Sequence, residues 1–477
     1  MSLINLIDRK LELEAAGLYH PNQFLIQLDA SNPFIVGRGS AATQQMEYLD
    51  VFIHEYWHYL QNVTTIAGFQ SLMFTRDLLS YFSHSLLTRA NGTSTGSQEL
   101  NADQITQVSN LVHLRNVFEG QPAPNSALRR DNNLHFTVRD IREYEDHWQL
   151  RGRSVPNPIT TLDVRAEWPD GTIRNYEMAL GAISIEESVA FLVGEQFREE
   201  LGLRELEMIP AFPYRVAERV YEYIVDRTPA STYFPAALAT LALLTNRPGP
   251  YFIQLVRLFR GALDRNLDER QSLGVVTQMH RDAMRPTIET IINHEIPDLE
   301  GIHENRGMLE GAINHLSQTF RRALDRRSDD PLFDLQVAFP SAHHDGWQQL
   351  VRDYPPCDLL QEYRGDDQQL LRDQLYRFPT ASAYNSGNID NNNLRSFQAQ
   401  DNYLESHISL VNGRFISSDS TQARCPFFTA CELPLRSNNR QICQERPWLA
   451  YQHSGNGGCW YYNAVISSLG TVRQSLS

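Results

Sequence analysis

The sequence predicts an α+β fold with a largely helical middle region, and three observations lead there. Met46, Leu49, Ile53, Trp57 and Leu60 recur at three- and four-residue steps, the period of an amphipathic helix. Strand-like runs bounded by turn signals stand apart from the helices, at 22–36, within 134–178 and at 406–416. Helical spacing returns at Ile183 and continues, interrupted by Pro and Gly, through Arg327.

In chain order, NQFLIQLDASNPFIV (22–36) reads as strands broken at an Asp-Ala-Ser-Asn-Pro turn. The first long helix is expected over about 43–62, with Thr43 as its N-cap, and a second over about 69–87. ANGTSTGSQ, which follows, has the composition of an exposed loop. TTLDVRAEW and TIRNYEM flank Pro169-Asp170-Gly171, so a hairpin is expected there. After Asp329 the chain is richer in Pro, Asn, Asp and Ser. NSGNIDNNN (385–393) reads as a surface loop, and Asn412-Gly413 between apolar runs reads as a type I′ hairpin. The organisation expected is a core over 1–200 with an insertion at about 89–178, a helical region over 201–330, and a C-terminal region over 331–477. That last region is expected to be small, β-rich and cysteine-bearing.

Composition excludes several classes. A net charge of −15 opposes the basic surface that neutralises phosphates, so no nucleic-acid partner is expected. No run approaches the roughly 20 apolar residues that span a bilayer, and no secretion signal is visible at the N-terminus, so no membrane partner is expected. Five cysteines are sparse for a disulfide-stabilised protein, which points to a reducing, cytoplasmic location.

The chemistry is concentrated in HEYWH. His54 and His58 stand four residues apart on one helix face, where two imidazoles can reach one tetrahedral Zn²⁺, and Glu55 follows the first of them. Two satisfied core histidines with a surface glutamate would be the plainer account. A catalytic zinc usually takes a third protein ligand. The metzincin arrangement is absent, because Gln61 and Thr64 occupy the positions of its Gly and its ligand. Glu186 and Glu187 interrupt the apolar helical pattern of Ile183, Ile185, Val189, Leu192 and Val193. Ala190 and Gly194 share the face of Glu187, and small residues there would admit a neighbouring helix, which favours Glu187 over Glu186.

A His-Glu-x-x-His helix followed by a Glu-x-x-Ala helix resembles the gluzincin group of zinc metallopeptidases. The longer string HEYWHYLQNVTT, with Leu180-Gly181-Ala182 ahead of Glu187-Ser188-Val189-Ala190, is similar to a set of bacterial proteins with an HEYxHxxQ helix. The likeness covers about 43–70 and 179–196. It implies a zincin-like catalytic unit with His54, His58 and Glu187 as zinc ligands and Glu55 as general base. It also implies peptide-bond hydrolysis by metal-activated water, with a strand of the 22–36 region holding the substrate by edge addition. Two departures stand out: a long interval separates His58 from Glu187, and no Asp stands four residues after Glu187. Tyr221, Tyr223, Tyr233 and His135 are all candidates for an oxyanion donor. The expected partner is a specific protein or peptide substrate. A non-catalytic zinc-binding scaffold and a zinc hydrolase of non-peptide amides are the competing readings, and a retained Glu55 argues against the first.

Cys425, Cys431, Cys443 and Cys459 cluster near the C-terminus at spacings without a tight Cys-x2-Cys knuckle. A structural zinc, free thiols and two disulfides are the alternatives. Cys357 stands apart and reads as a free thiol. His294-Glu295 and His303-Glu304 read as surface residues at a helix junction, with Pro297 between them.

Overall fold

The computed structural model describes residues 17–29, 49–85, 100–121, 134–150, 153–200, 212–303, 308–339, 346–355, 358–362, 374–376, 391–407, 410–411, 414–415, 421–428, 431, 433–452 and 458–475. In chain order these form β1 (Gly17–His20), β2 (Leu25–Asp29), α1 (Leu49–Thr64), α2 (Ile66–Ser85), α3 (Ala102–Glu119), β3 (His135–Leu150), β4 (Arg153–Glu167), β5 (Ile173–Ala179) and α4 (Ala182–Glu200). The middle of the chain gives α5 (Val216–Val225), α6 (Tyr233–Leu243), α7 (Pro248–Leu263), α8 (Glu269–Thr290), α9 (Ile296–His303), α10 (Met308–Asp329), α11 (Leu335–Ala338) and α12 (Gly346–Asp353). The remainder is β6 (Asp358–Glu362), β7 (Gln374–Tyr376), α13 (Asn391–Glu405), β8 (Leu410–Val411), β9 (Arg414–Phe415), α14 (Pro434–Asn438), α15 (Arg440–Glu445) and α16 (Trp460–Ser475). The fold is mixed helix and sheet, with helices in the majority.

The first sheet runs β1-β2-β6-β7, with β6 parallel to β2 and the other pairs antiparallel. The expected strand of the 22–36 region is β2; the Asp-Ala-Ser-Asn-Pro turn lies mostly outside the described residues. A second sheet, β3-β4-β5, carries the expected hairpin, with Gly171 at φ 83° closing the turn. That left-handed conformation is one glycine adopts without a Cβ clash. Leu410 pairs with Phe415 and Val411 with Arg414 in an antiparallel ladder, while the expected turn at Asn412-Gly413 lies outside the described residues.

The C-terminal region differs from the β-rich expectation. β6 and β7 join the N-terminal sheet, β8 and β9 hold two residues each, and the other described elements after Asn391 are helical. The Pro and Asn residues that read as turns are helix starts here: Pro434 stands in the first turn of α14, and Asn391–Asn393 begin α13. Helix α3 was not expected either, although Asn101 and Gln104 form a capping box at its start.

Aliphatic and aromatic side chains from Tyr19 to Val465 form one continuous buried cluster. Helix α1 lies inside it: Phe52, Ile53, Tyr56, Trp57, Leu60 and Val63 are buried. Its neighbours are α4, α10, α2 and β1. Tyr56 and Tyr59 donate to the carbonyls of Tyr354 and Pro355 at 3.1 and 2.8 Å. At the C-terminal end of α1 no basic residue of its own meets the last carbonyls. Arg327 of α10 does so instead, from a buried pair with Asp334 at 2.6 Å, reaching Thr64 Oγ1 at 2.9 Å. These contacts fix the axial position of the helix that carries His54.

Candidate metal centre

Helix α1 presents His54 and His58 on one face, as the four-residue spacing requires, and α4 packs along that face. The Nε2 atoms of the two imidazoles are 3.2 Å apart. Glu187 Oε2 lies 3.7 Å from His54 Nε2 and 3.4 Å from His58 Nε2. Three ligand atoms at about 2.1 Å from a tetrahedral zinc would be separated by roughly 3.4 Å. The triangle of donors matches that edge length without rearrangement. Among the described residues this is the set of three His, Cys, Asp or Glu donors lying within 4.8 Å of one another. The side chains of His54, His58 and Glu187 are 19, 11 and 28% exposed, so one side of the triangle is open. A catalytic ion needs such an open position for water or substrate.

The electrostatics fit a cation. Burial pushes the Glu187 carboxyl up, but the two imidazoles, His58 foremost, more than reverse this and hold it well below the usual carboxylate range. Burial depresses His58, and Glu187 overcompensates, so its imidazole is raised. The site therefore stabilises one positive charge against one carboxylate, whether that charge is a proton or a metal. Glu186 takes the other path: burial raises it to about 7. Its backbone carbonyl accepts from Gln61 Nε2 at 3.2 Å, which ties α1 to α4 beside the ligand. Position thus separates the two glutamates: the carboxylate that meets both imidazoles is that of Glu187.

Glu55 faces β1. Its carboxyl is 6% exposed, is raised to about 7 mainly by burial, and accepts from the Tyr19 backbone N–H. A Cβ on Gly17 would stand 2.9 Å from Glu55 Cγ and 2.6 Å from Val51 Cγ1, so the strand passes at a distance only glycine permits. β1 is paired on one side by β2 and is the edge of its sheet among the described residues. The close approach of β1 to the His54 helix is thus made by Gly17. Gly194 on α4 plays no such part, since a Cβ there would meet nothing within 4 Å.

Two tyrosines flank the imidazoles. The Tyr214 ring is 5.9 Å from that of His54 in an edge arrangement, and the Tyr19 ring lies parallel to His58 at 6.5 Å. Tyr19 Oη accepts from Asn62 Nδ2 at 2.9 Å. Tyr214 is brought in by Ser188, the residue after Glu187. Ser188 Oγ lies 2.8 Å from Ser184 O and 3.0 Å from Pro213 O, and accepts from the Ala217 N–H at 3.2 Å. Neither tyrosine stood among the sequence candidates. Of those, Tyr221 donates its hydroxyl to Glu269, Tyr233 packs on Phe234 and Phe339, Tyr223 is exposed, and His135 sits on β3. The run Phe212-Pro213-Tyr214-Arg215 gave no periodic signal; a serine inside an apolar helix, next to a candidate ligand, was the available clue.

A cleft of about 520 Å³ lies elsewhere, between α2, α3 and β4, with Phe74, Tyr81, Leu111 and Ile159 in its wall. It contains none of His54, Glu55, His58 and Glu187. His294 and Glu295 fall in a π-helical turn, Ile291–Glu295, joining α8 to α9. Cys357 lies outside the described residues. No protein-family profile matches the chain, and no curated protein or solved structure matches it either.

Proposed function

We propose that the chain is a zinc-dependent peptidase of zincin-like design, acting on a specific protein or peptide, with His54, His58 and Glu187 as metal ligands and Glu55 as general base. The observation that carries this reading is the closed triangle of Nε2, Nε2 and Oε2 atoms beside a carboxyl that ligates nothing. A zinc ion held there would polarise the scissile carbonyl and lower the pKa of a bound water.

The other roles belong to the chain. Glu55, poised near neutrality by its burial, accepts a proton from the attacking water and returns it to the leaving amine. A cation at the three ligands would draw its pKa down, keeping the base ionised at neutral pH. Tyr214, whose ring flanks His54, is assigned as donor to the developing oxyanion. The edge of β1 away from β2, which Glu55 meets at Gly17 and Tyr19, would hold an extended peptide by strand addition.

Glu55→Gln tests the reading. The substitution removes the base without removing a ligand, so zinc content and fold should be retained. General-base contributions are about 100- to 10,000-fold, and cleavage should fall by that factor. New peptide termini generated in a cell lysate by wild-type and Glu55→Gln protein are compared by mass spectrometry. Equal cleavage patterns would remove Glu55 from the mechanism.

A further inference from the structure

Four segments distant from the His54 helix meet around a second cluster of soft ligands. Cys425 and Cys443 are brought side by side by two backbone hydrogen bonds, Cys425 N–H to Cys443 O at 2.9 Å and Ala423 N–H to Glu445 O at 2.8 Å. A turn with the Phe428 N–H on Cys425 O carries the chain to Cys431, whose own N–H bonds to Phe427 O and whose carbonyl accepts from Arg436 Nη1 at 2.7 Å. Cys459 sits one residue before α16, its carbonyl accepting the Asn463 N–H. All four thiols line one cavity of about 20 Å³ whose remaining wall includes Phe428, Leu433, Pro447 and Trp460. A water needs about 10–15 Å³ of such space, so the cavity admits a single atom or ion and no organic ligand.

The charge around this cavity supplies an independent observation. Arg424, Arg436 and Arg440 place their guanidinium carbons 5.1, 5.3 and 5.6 Å from the centre of the Phe428 ring, and Arg395 stands 4.8 Å over Trp460. Residues 421–461 contain four arginines and two glutamates, with no aspartate or lysine, inside a chain of net charge −15. Three guanidiniums on one ring repel each other, and four neutral thiols do nothing to offset that. Four thiolates around a divalent cation carry a net charge of −2, which does.

We propose that Cys425, Cys431, Cys443 and Cys459 together hold one tetrahedral zinc ion that joins the 421–428 loop, α15 and the start of α16. Binding exchanges four thiol protons for one Zn²⁺ and leaves a dianionic centre inside the ring of arginines. No three of the sulfurs lie within 4.8 Å of one another, whereas zinc–sulfur bonds of about 2.3 Å set sulfurs roughly 3.8 Å apart, so metal binding contracts the cavity. Its function is structural. Helix α16 packs onto α13, the 3₁₀ turn Pro447–Gln452 and α2, the helix that follows α1, and Trp448 of the 3₁₀ turn meets Tyr403 of α13.

The His54→Ala/His58→Ala protein isolates this site from the first one. It should retain close to one zinc per chain, released when a mercurial reagent titrates the thiols. Its Co²⁺ form should show the intense near-ultraviolet absorption of sulfur-to-cobalt charge transfer. Adding Cys431→Ser and Cys459→Ser should abolish that metal and lower the melting temperature. If this variant does not fold, the cobalt spectrum of the four-cysteine protein decides alone. Absence of the charge-transfer band, immediate reaction of all four thiols without metal release, or an intact mass two or four hydrogen atoms light from disulfide formation would each overturn the proposal.

Discussion

At the scale of single residues, burial assigns different work to side chains of the same type. Glu55, Glu186 and Glu187 lie within one site, yet two are pushed to about 7 by burial while the third is held far below by the imidazoles it faces. The carboxyl that faces two imidazoles is held ionised, and the one that faces a backbone strand is held near neutrality. Neighbouring position in sequence does not decide this, because Glu186 and Glu187, consecutive residues of one helix, point about 100° apart around its axis.

Histidines divide in the same way. His280 is 2% exposed, packs at a tilt against the Tyr251 ring at 5.5 Å, and neither ring nitrogen has a hydrogen-bond partner. Burial lowers it to about 4, below the ordinary value near 6.5, so the fold holds it neutral. Its contribution is intact above pH 6.5. Between 6.5 and 4 the unfolded chain takes the proton and the folded chain refuses it, so stability falls by up to about 3 kcal/mol as pH drops. His280→Leu should flatten that part of the profile. Urea midpoints measured from pH 7 to pH 4 check this, and parallel profiles for the two proteins would contradict it.

At the scale of elements, the site depends on how α1 is held from behind. Arg327 and Asp334 are both fully buried, and the guanidinium spans the carboxylate, Pro331 O and the end of α1. Removing one partner leaves a buried charge uncompensated, which typically costs about 3–5 kcal/mol. Arg327→Ala should therefore lower unfolding free energy by that amount. The Arg327→Ala/Asp334→Ala pair should recover part of the loss; a single variant as stable as wild type would show the pair to be dispensable.

Helix α1 was legible because its apolar stripe follows the helical period across 16 residues and the two histidines interrupt it at a ligand spacing. Its expected N-cap at Thr43 lies outside the described residues. β1 was not legible. Four residues carry too little alternation, and Gly17 is informative only once Val51 and Glu55 are beside it. Tyr214 and Arg327 were hidden for the same reason: their roles arise from contacts across the fold, which no local pattern records.

At the scale of the whole molecule, segments far apart in the chain complete one another. Asp358–Glu362 extends the sheet that begins at Gly17, and the β1–β2 turn is tied to α13 through Asn22 Nδ2 and Glu405 at 3.1 Å. Arg76 of α2 meets Asp401 of α13 at 3.3 Å with both side chains buried. The long interval between His58 and Glu187 is filled by α2, α3 and the β3-β4-β5 sheet, after which the chain returns to lay α4 against α1. Gly181 permits that return: a Cβ there would stand 2.5 Å from the backbone of Glu119 and Gly120 at the end of α3. No described helix is long and apolar enough to cross a membrane.

The central claim is that α1 and α4 together hold a metal, and anomalous scattering at the zinc edge tests it most directly. Crystals grown with zinc present should show a peak about 2.0–2.2 Å from His54 Nε2, His58 Nε2 and a carboxylate oxygen of Glu187, with Glu55 outside the coordination shell. Crystals of His54→Ala/His58→Ala protein should lack that peak. A wild-type map with no anomalous density between the three side chains, or with zinc bound there through Glu186 or Glu55 in place of Glu187, would contradict the account.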